Sequence, residues 1–234
     1  MRDPSKIASQ EEALKQIEDI KLSRDVKSIV PVAFEAVNSK SVQAQLYGGS
    51  ALFSVAMRPD GPTALGGEAV SIMKLLTHSE PRLKITCVVL TQSAKLPASL
   101  YEQKFLQFLS NPEEPLQVKA GVVGALVRST SAIEEKKKVI GAFLMSEMPL
   151  QTRIEAYNAV ASSPADQAWH ADLVAIGLRD RDENVRQMAI SLLQRLGPNA
   201  VLRHSEEIKK LALSSTESTK VREMAERVLA LKPQ

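Results

Sequence analysis

The chain has 234 residues, 44% of them hydrophobic but only 4% aromatic, and its 30 basic and 27 acidic side chains give a formal net charge of +3. This aliphatic composition argues against a disordered chain and against an aromatic-rich β-sandwich, and it favours an all-α fold. The near balance of charge gives no strong argument for a polyanionic partner.

Residues 1–24 form a polar lead with one short predicted helix from Glu11 to Ile20. The lead lacks the apolar core of a secretory signal, and no apolar run in the chain reaches the roughly 18 residues that a membrane span requires. The single cysteine, Cys87, cannot form an internal disulfide. We therefore expect a cytoplasmic protein with no membrane partner.

Residues 25–234 are predicted to form a single repeat domain, because apolar residues recur there at helical spacing in about six pairs of segments. Pro31 predicts a kink or a late start in the first segment, and Gly48 and Gly49 weaken the second. Breakers such as Gly197-Pro198 separate the pairs. The predicted pairs are 25–38 with 42–57, 63–77 with 80–92, 98–109 with 115–128, 132–145 with 149–160, 166–178 with 183–196, and 205–213 with 219–231.

The second helices of the pairs share one register. Aligned on a recurring polar position, they repeat every 33 to 39 residues, roughly the length of a helical solenoid unit. A small or medium residue stands three places further on, and a larger one seven places on, which lets neighbouring helices approach and interdigitate. The aligned positions are Gln45, Lys84, Lys119, Arg153, Arg186 and Arg222, then Gly48, Cys87, Val122, Ala156, Ala189 and Ala225, then Leu52, Thr91, Leu126, Val160, Leu193 and Leu229.

The last two second helices carry a family resemblance. The pattern Val185-Arg186-x-x-Ala189-x-x-Leu192-Leu193 follows an Asp-containing turn and is echoed from Val221 to Leu229. It resembles the HEAT repeat, closest to the bacterial HEAT-like variety, strongly over 166–231 and weakly before Met57. The resemblance implies a right-handed α-solenoid of about six antiparallel helical hairpins that acts as a protein-binding scaffold.

The recurring basic residues Lys84, Lys119, Arg153, Arg186 and Arg222 allow two interpretations. Acidic residues stand a few places upstream of each: Glu80, Glu114, Glu147, Asp182 and Glu217. Each base could bond turn carboxylates or carbonyls of its own and the adjacent repeat, forming a ladder that fixes repeat spacing. Alternatively, the bases line the concave surface and hold an acidic partner.

Three apparent ligand-binding motifs lack residues that the corresponding sites require. The calcium-like Asp180-x-Asp182-x-Asn184 has Val185 where a calcium loop needs Gly, so we interpret it as a capping turn. The glycines of 61–67 are followed by Glu68, which would repel a phosphate. The three histidines lie in different pairs, and no metal or cofactor is expected.

One cluster keeps an enzyme under consideration. Asp166, Trp169 and His170 stand together at the start of the fifth pair, and the HEAT-like resemblance extends to DNA glycosylases with an aromatic and acidic pocket. The chain has one Trp and three Tyr, few for holding a nucleotide, so an anchoring role for Trp169 is preferred. No catalytic residue is assigned.

The preferred function is a non-enzymatic protein-binding scaffold or adaptor that takes another protein or an extended peptide on its concave surface. Second-helix residues such as Gln45, Arg153, Gln187, Ser191, Lys220 and Glu223 are expected to be exposed there. The alternative is a nucleic-acid-binding HEAT-like protein, possible only if basic residues cluster on one face. The densest basic run, Lys136 to Lys138, is instead expected on a solvated outer face.

Overall fold

The structure, a computed structural model, describes residues 26–129, 131–162 and 168–230. Every regular element in these ranges is a helix, so the all-α prediction is confirmed. The solenoid arrangement stays a prediction. The helix predicted from Glu11 to Ile20 lies outside the described residues, as does Asp166.

The α-helices follow the predicted pairs closely. Two 3-10 helices, Leu75–Thr77 and Ile176–Arg179, continue α4 and α10 respectively. The α-helices in chain order are α1 (Val26–Val37), α2 (Val42–Ala56), α3 (Gly61–Leu65), α4 (Ala69–Lys74), α5 (Pro81–Ser93), α6 (Ala98–Ser110), α7 (Leu116–Leu126), α8 (Ile133–Leu144), α9 (Leu150–Ala161), α10 (Ala168–Ala175), α11 (Glu183–Leu196), α12 (Pro198–Arg203), α13 (Ser205–Leu213) and α14 (Thr219–Leu229).

The sequence prediction was wrong at one helix and incomplete at another. The segment predicted as one helix over 63–77 is divided at Gly66-Gly67, where two residues of low helix propensity follow each other. Pro31, for which a kink or a late start was predicted, lies inside α1; the late start is absent and the kink stays a prediction. The short helix α12 was not predicted; Gly197, with φ of 109°, and Pro198 begin it.

Side-chain caps begin four of the second helices. The side chain of Ser41 accepts from the amide of Ala44 at the start of α2, and Ser218 does the same for Val221 at the start of α14. Before α11, the carboxylate of Asp182 accepts from Asn184 N at 2.8 Å. Such caps contribute about 1 kcal/mol each. Glu80 caps α5 in the same way.

The described helices group into two compact units, residues 1–103 and 104–234, here called the N-terminal and C-terminal units. In the N-terminal unit, α2 packs against both α1 and α5. In the C-terminal unit the second helices pack in chain order, α7 on α9, α9 on α11 and α11 on α14, and α10 packs against both α8 and α11. The single repeat domain predicted for 25–234 stays a prediction.

The predicted register agrees with burial. All six small-residue positions, Gly48 to Ala225, are buried, as are the first five of the six larger positions, Leu52 to Leu193. Leu229 alone is half-exposed. Because the same two positions are buried, the consecutive second helices within the C-terminal unit turn the same face toward their neighbours.

Candidate functional site

Arg186 joins its own turn to the turn of the next repeat. Its Nη1 donates to the carbonyls of Asp180 at 2.7 Å and Arg181 at 3.1 Å. Its Nε and Nη2 donate to Oε2 of Glu217 at 3.1 and 2.7 Å. These are the contacts that the ladder interpretation requires, and they use four donor contacts of the planar guanidinium.

The other bases of the ladder are less completely bonded. Arg153 Nε lies 3.5 Å from Oδ2 of Asp180, an ion-pair contact with the turn of the next repeat. Arg222 has a hydroxyl partner, Thr219, at 3.5 Å, and its buried Nε has no hydrogen-bond partner among the described residues. Arg153 on α9 and Arg186 on α11 thus both reach the turn of the following repeat.

Three of the predicted bases are buried and contribute no exposed charge. Lys84, Lys119 and Arg153 are each less than a tenth exposed. Burial lowers the pKa of Lys119, while the Glu114 carboxylate acts in the opposite direction. The prediction that Arg153 would be an exposed surface residue was wrong, because its side chain lies under the turn that holds Asp180.

A row of exposed polar side chains runs along the second helices of the C-terminal unit. It lies two residues before the ladder position, and its members are Gln117, Gln151, Asn184 and Lys220. Sequence analysis did not select this row, although its register could have been found by counting back from the ladder bases. Amide side chains both donate and accept hydrogen bonds, so this face can bond a polypeptide backbone.

Two repeated contacts hold this face in register. Asn158 Nδ2 donates to the sulfur of Met188 at 3.8 Å, joining α9 to α11. Ser191 Oγ donates to the sulfur of Met224 at 3.6 Å and joins α11 to α14 in the same way. Both donors stand five residues after a ladder base and both sulfurs two residues after the next one. The repeat is thus visible in side-chain contacts as well as in burial.

In the N-terminal unit, a groove of about 460 Å³ lies between α2 and α5. From α2 it is lined by Gln43, Leu46 and Phe53, and from α5 by Arg82 and Ile85. The helices approach closely at Gly49, where an added Cβ would lie 2.6 Å from Cδ2 of Leu83. Sequence analysis did not predict this groove, because nothing in the spacing of α2 indicates which of its apolar residues stay uncovered.

Trp169 and His170 are packed side chains. Trp169 is 6% exposed and His170 is 1% exposed, and their ring centroids are 4.3 Å apart. His170 Nε2 donates to the carbonyl of Val127 at 3.0 Å, and Lys136 Nζ lies 5.5 Å from the Trp169 ring centroid. A base could not stack on this indole without displacing its neighbours. The third residue of the predicted pocket, Asp166, lies outside the described residues.

The basic run from Lys136 to Lys138 is not a solvated face, so that prediction was wrong. Lys136 is fully buried and its Nζ donates to the carbonyl of Ser129 at 2.5 Å. Lys137 pairs with Oδ2 of Asp172 at 2.5 Å. Of the three lysines only Lys138 is exposed, so the run offers a nucleic acid far less charge than its sequence indicates.

Asp172 is the centre of an ionic cluster that sequence analysis missed. Besides Lys137, it accepts from Arg203 Nε at 2.6 Å and lies 3.3 Å from His204 Nε2. Burial alone would raise the pKa of Asp172, but the hydrogen bonds and charges of Arg203 and Lys137 lower it to about 2. Lys137 and Arg203 stand 35 and 31 residues from Asp172, close to one repeat length, and that spacing was the available signal.

Comparison with known proteins gives no family for this chain. No protein-family model matches it, and no curated protein matches its sequence. The HEAT-like resemblance therefore rests on the residues alone. Among the described residues there is no group of three His, Cys, Asp or Glu side chains placed to hold a metal ion, and none of the helices found there could cross a membrane.

Proposed function

We propose that this chain is a non-enzymatic protein-binding scaffold or adaptor, a right-handed HEAT-like α-solenoid that binds its partner on the exposed face of the second helices. The observation that carries the proposal is the shared register of α7, α9, α11 and α14. Each packs on the next and turns the same positions inward. A register that buries one face of every helix also presents one continuous outer face.

The composition of that face favours a polypeptide over a nucleic acid. Its row contains three amides and one lysine: Gln117, Gln151, Asn184 and Lys220. Neutral amides suit the donors and acceptors of a peptide backbone, whereas a phosphate backbone requires clustered cations. Three of the ladder bases do not supply those cations, because Lys119 and Arg153 are buried and Arg186 is bonded to Glu217.

Photo-crosslinking in the source cell tests the proposal. A benzophenone amino acid is placed at Gln117 on α7 or, as the matched control, at Gln107 on α6; both are exposed glutamines. We expect discrete protein adducts from position 117 and none from position 107. Equal adducts from both positions, or adducts from position 107 alone, would contradict binding on the second helices.

A further inference from the structure

On the α2 side, the groove between α2 and α5 has an apolar wall formed by Leu46 and Phe53, which belong to a longer apolar run along this helix. Val42, Leu46, Phe53 and Met57 follow one another at spacings that place them on the same side of α2. Phe53 is 42% exposed, and Val42 and Met57 are each more than half exposed. A run of this kind on one helix face is typical of a surface that another apolar group covers.

Among the described residues that line the groove, Arg82 is the only charged side chain, and it is exposed at the start of α5. None of those described residues is Asp or Glu. The nearest acid in the sequence, Glu80, caps α5 by accepting from the Arg82 amide at 3.2 Å. A carboxylate entering the groove would therefore meet the planar guanidinium fork without a competing acid in the lining.

Neutral polar groups complete the lining on the α2 side. Gln43 Nε2 donates to the hydroxyl of Tyr47 at 3.2 Å, which orders both side chains at the wall. The described lining thus combines the aliphatic side chains of Leu46 and Ile85, the aromatic ring of Phe53 and the cation of Arg82. In a mostly apolar recess, a small number of polar groups fixes the orientation of the bound group and contributes less to its affinity.

We propose that this groove binds a segment of a partner polypeptide that carries an aliphatic or aromatic side chain next to an Asp or Glu. The apolar side chain packs against Phe53 and Leu46, and the carboxylate pairs with Arg82. This inference rests on the proposed protein-binding function and adds the location and the chemistry of one contact. A groove of about 460 Å³ accommodates one or two side chains, so it selects a short motif.

Selection from a phage-displayed library of random 12-residue peptides on the full chain tests the inference. We expect enrichment of peptides with Leu, Ile or Phe beside Asp or Glu. Arg82→Glu should weaken the binding of the selected peptides by about tenfold. Peptides in which Lys replaces that acid should bind Arg82→Glu better than they bind the original chain. Lys104→Glu, a reversal of charge at an exposed position of the first helix α6, should leave binding unchanged.

The outcomes separate the two proposals. Selected peptides that bind equally well to Phe53→Ser and Arg82→Glu would overturn the groove inference and leave the binding function standing. Selection of basic or uncharged peptides at the groove would also overturn it. Failure to select any peptide would overturn the groove inference, whereas the binding function is tested separately by the crosslinking at position 117. Light scattering provides the last check, because a dimer that Phe53→Ser converts to a monomer would show that a second copy covers this wall. Thermal melts confirm that each variant is folded.

Discussion

Arg186 and Glu217 are joined by two hydrogen bonds from Nε and Nη2 to a single carboxylate oxygen, at 3.1 and 2.7 Å. The pair connects α11 to the turn that precedes α14, and both side chains are about 85% shielded from solvent. Arg186 also bonds two carbonyls of its own turn. Loss of the guanidinium would leave a shielded carboxylate and two carbonyls without this donor, which costs more than loss of a surface ion pair.

We expect Arg186→Ala to lower the free energy of unfolding by about 2 kcal/mol, a fall in melting temperature of several degrees for a chain of this length. A urea titration measures it. Arg181→Ala is the control, because Arg181 pairs with Glu147 at 2.8 Å where both side chains are largely exposed, and no resolvable change is expected there. An Arg186→Ala variant as stable as the parent would contradict the ladder and favour an exposed binding contact.

Gly48 is required by the close packing of α1 and α2. A Cβ at this position would lie 2.5 Å from the carbonyl oxygen of Ala33 and 2.8 Å from the amide nitrogen of Val37. We expect Gly48→Ala to destabilise the fold by about 2 kcal/mol, since backbone must move and the gain in helix propensity is only about 1 kcal/mol. Denaturant titration provides the measurement.

Gly124→Ala is the matched control for that prediction. Gly124 also lies inside a second helix, but an added Cβ would meet only the Ala159 Cβ at 3.5 Å, an ordinary contact. We expect the substitution to stabilise the chain by up to about 1 kcal/mol. If both glycine variants changed stability in the same direction, the close approach of the backbone at Gly48 would not explain the loss of stability in Gly48→Ala.

These two glycines illustrate how far the sequence determines the fold. Helical periodicity and turn residues placed the ends of α2, α5 and α11 within one or two residues, because that information is local. The same periodicity treated Gly48 only as a weak helix former. Glycine is needed there because the backbone of Ala33 approaches closely, and Ala33 lies 15 positions earlier in the chain, outside any local pattern.

For long charged side chains too, the sequence predicted some contacts and missed others. Repeat spacing selected Arg153 and Arg186, and both contact the turn of the following repeat. Composition placed Lys136 in solvent, yet it is fully buried and bonded to the carbonyl of Ser129. The difference arises because burial of a charged side chain depends on tertiary partners, which a run of like charges does not identify.

Because its carboxylate is bonded to Arg203 and Lys137, Asp172 should make the stability of the fold decrease in acid. Its carboxylate has a folded pKa of about 2, below its unfolded value near 4, so its contribution is fully present above about pH 4 and is lost as the pH falls toward 2. Asp172→Asn should therefore be less stable than the parent at pH 7, with the difference shrinking between pH 4 and pH 2. Urea titrations across that range measure it, and Asp60→Asn, at an exposed site, should show a smaller difference at pH 7. A constant difference would contradict the account.

His170 should add a second pH dependence at milder acidity. Burial lowers the pKa of His170, the Val127 carbonyl opposes this, and the Lys136 charge lowers it further. Protons then bind the unfolded chain more readily than the folded one, so stability falls as the pH drops below about 6.5. His170→Gln, whose amide can still donate to Val127, should show a shallower decline between pH 7 and pH 5. Equal slopes for the two proteins would rule out a buried neutral imidazole.

Amide hydrogen exchange of the full chain, alone and with a saturating library-selected peptide, tests most directly whether the partner lies on the second helices. The account predicts slower exchange in the two second helices α2 and α5, between which the groove lies. Exchange in the first helices of the pairs, including α8 and α13, should not change. Protection confined to those first helices would contradict the account.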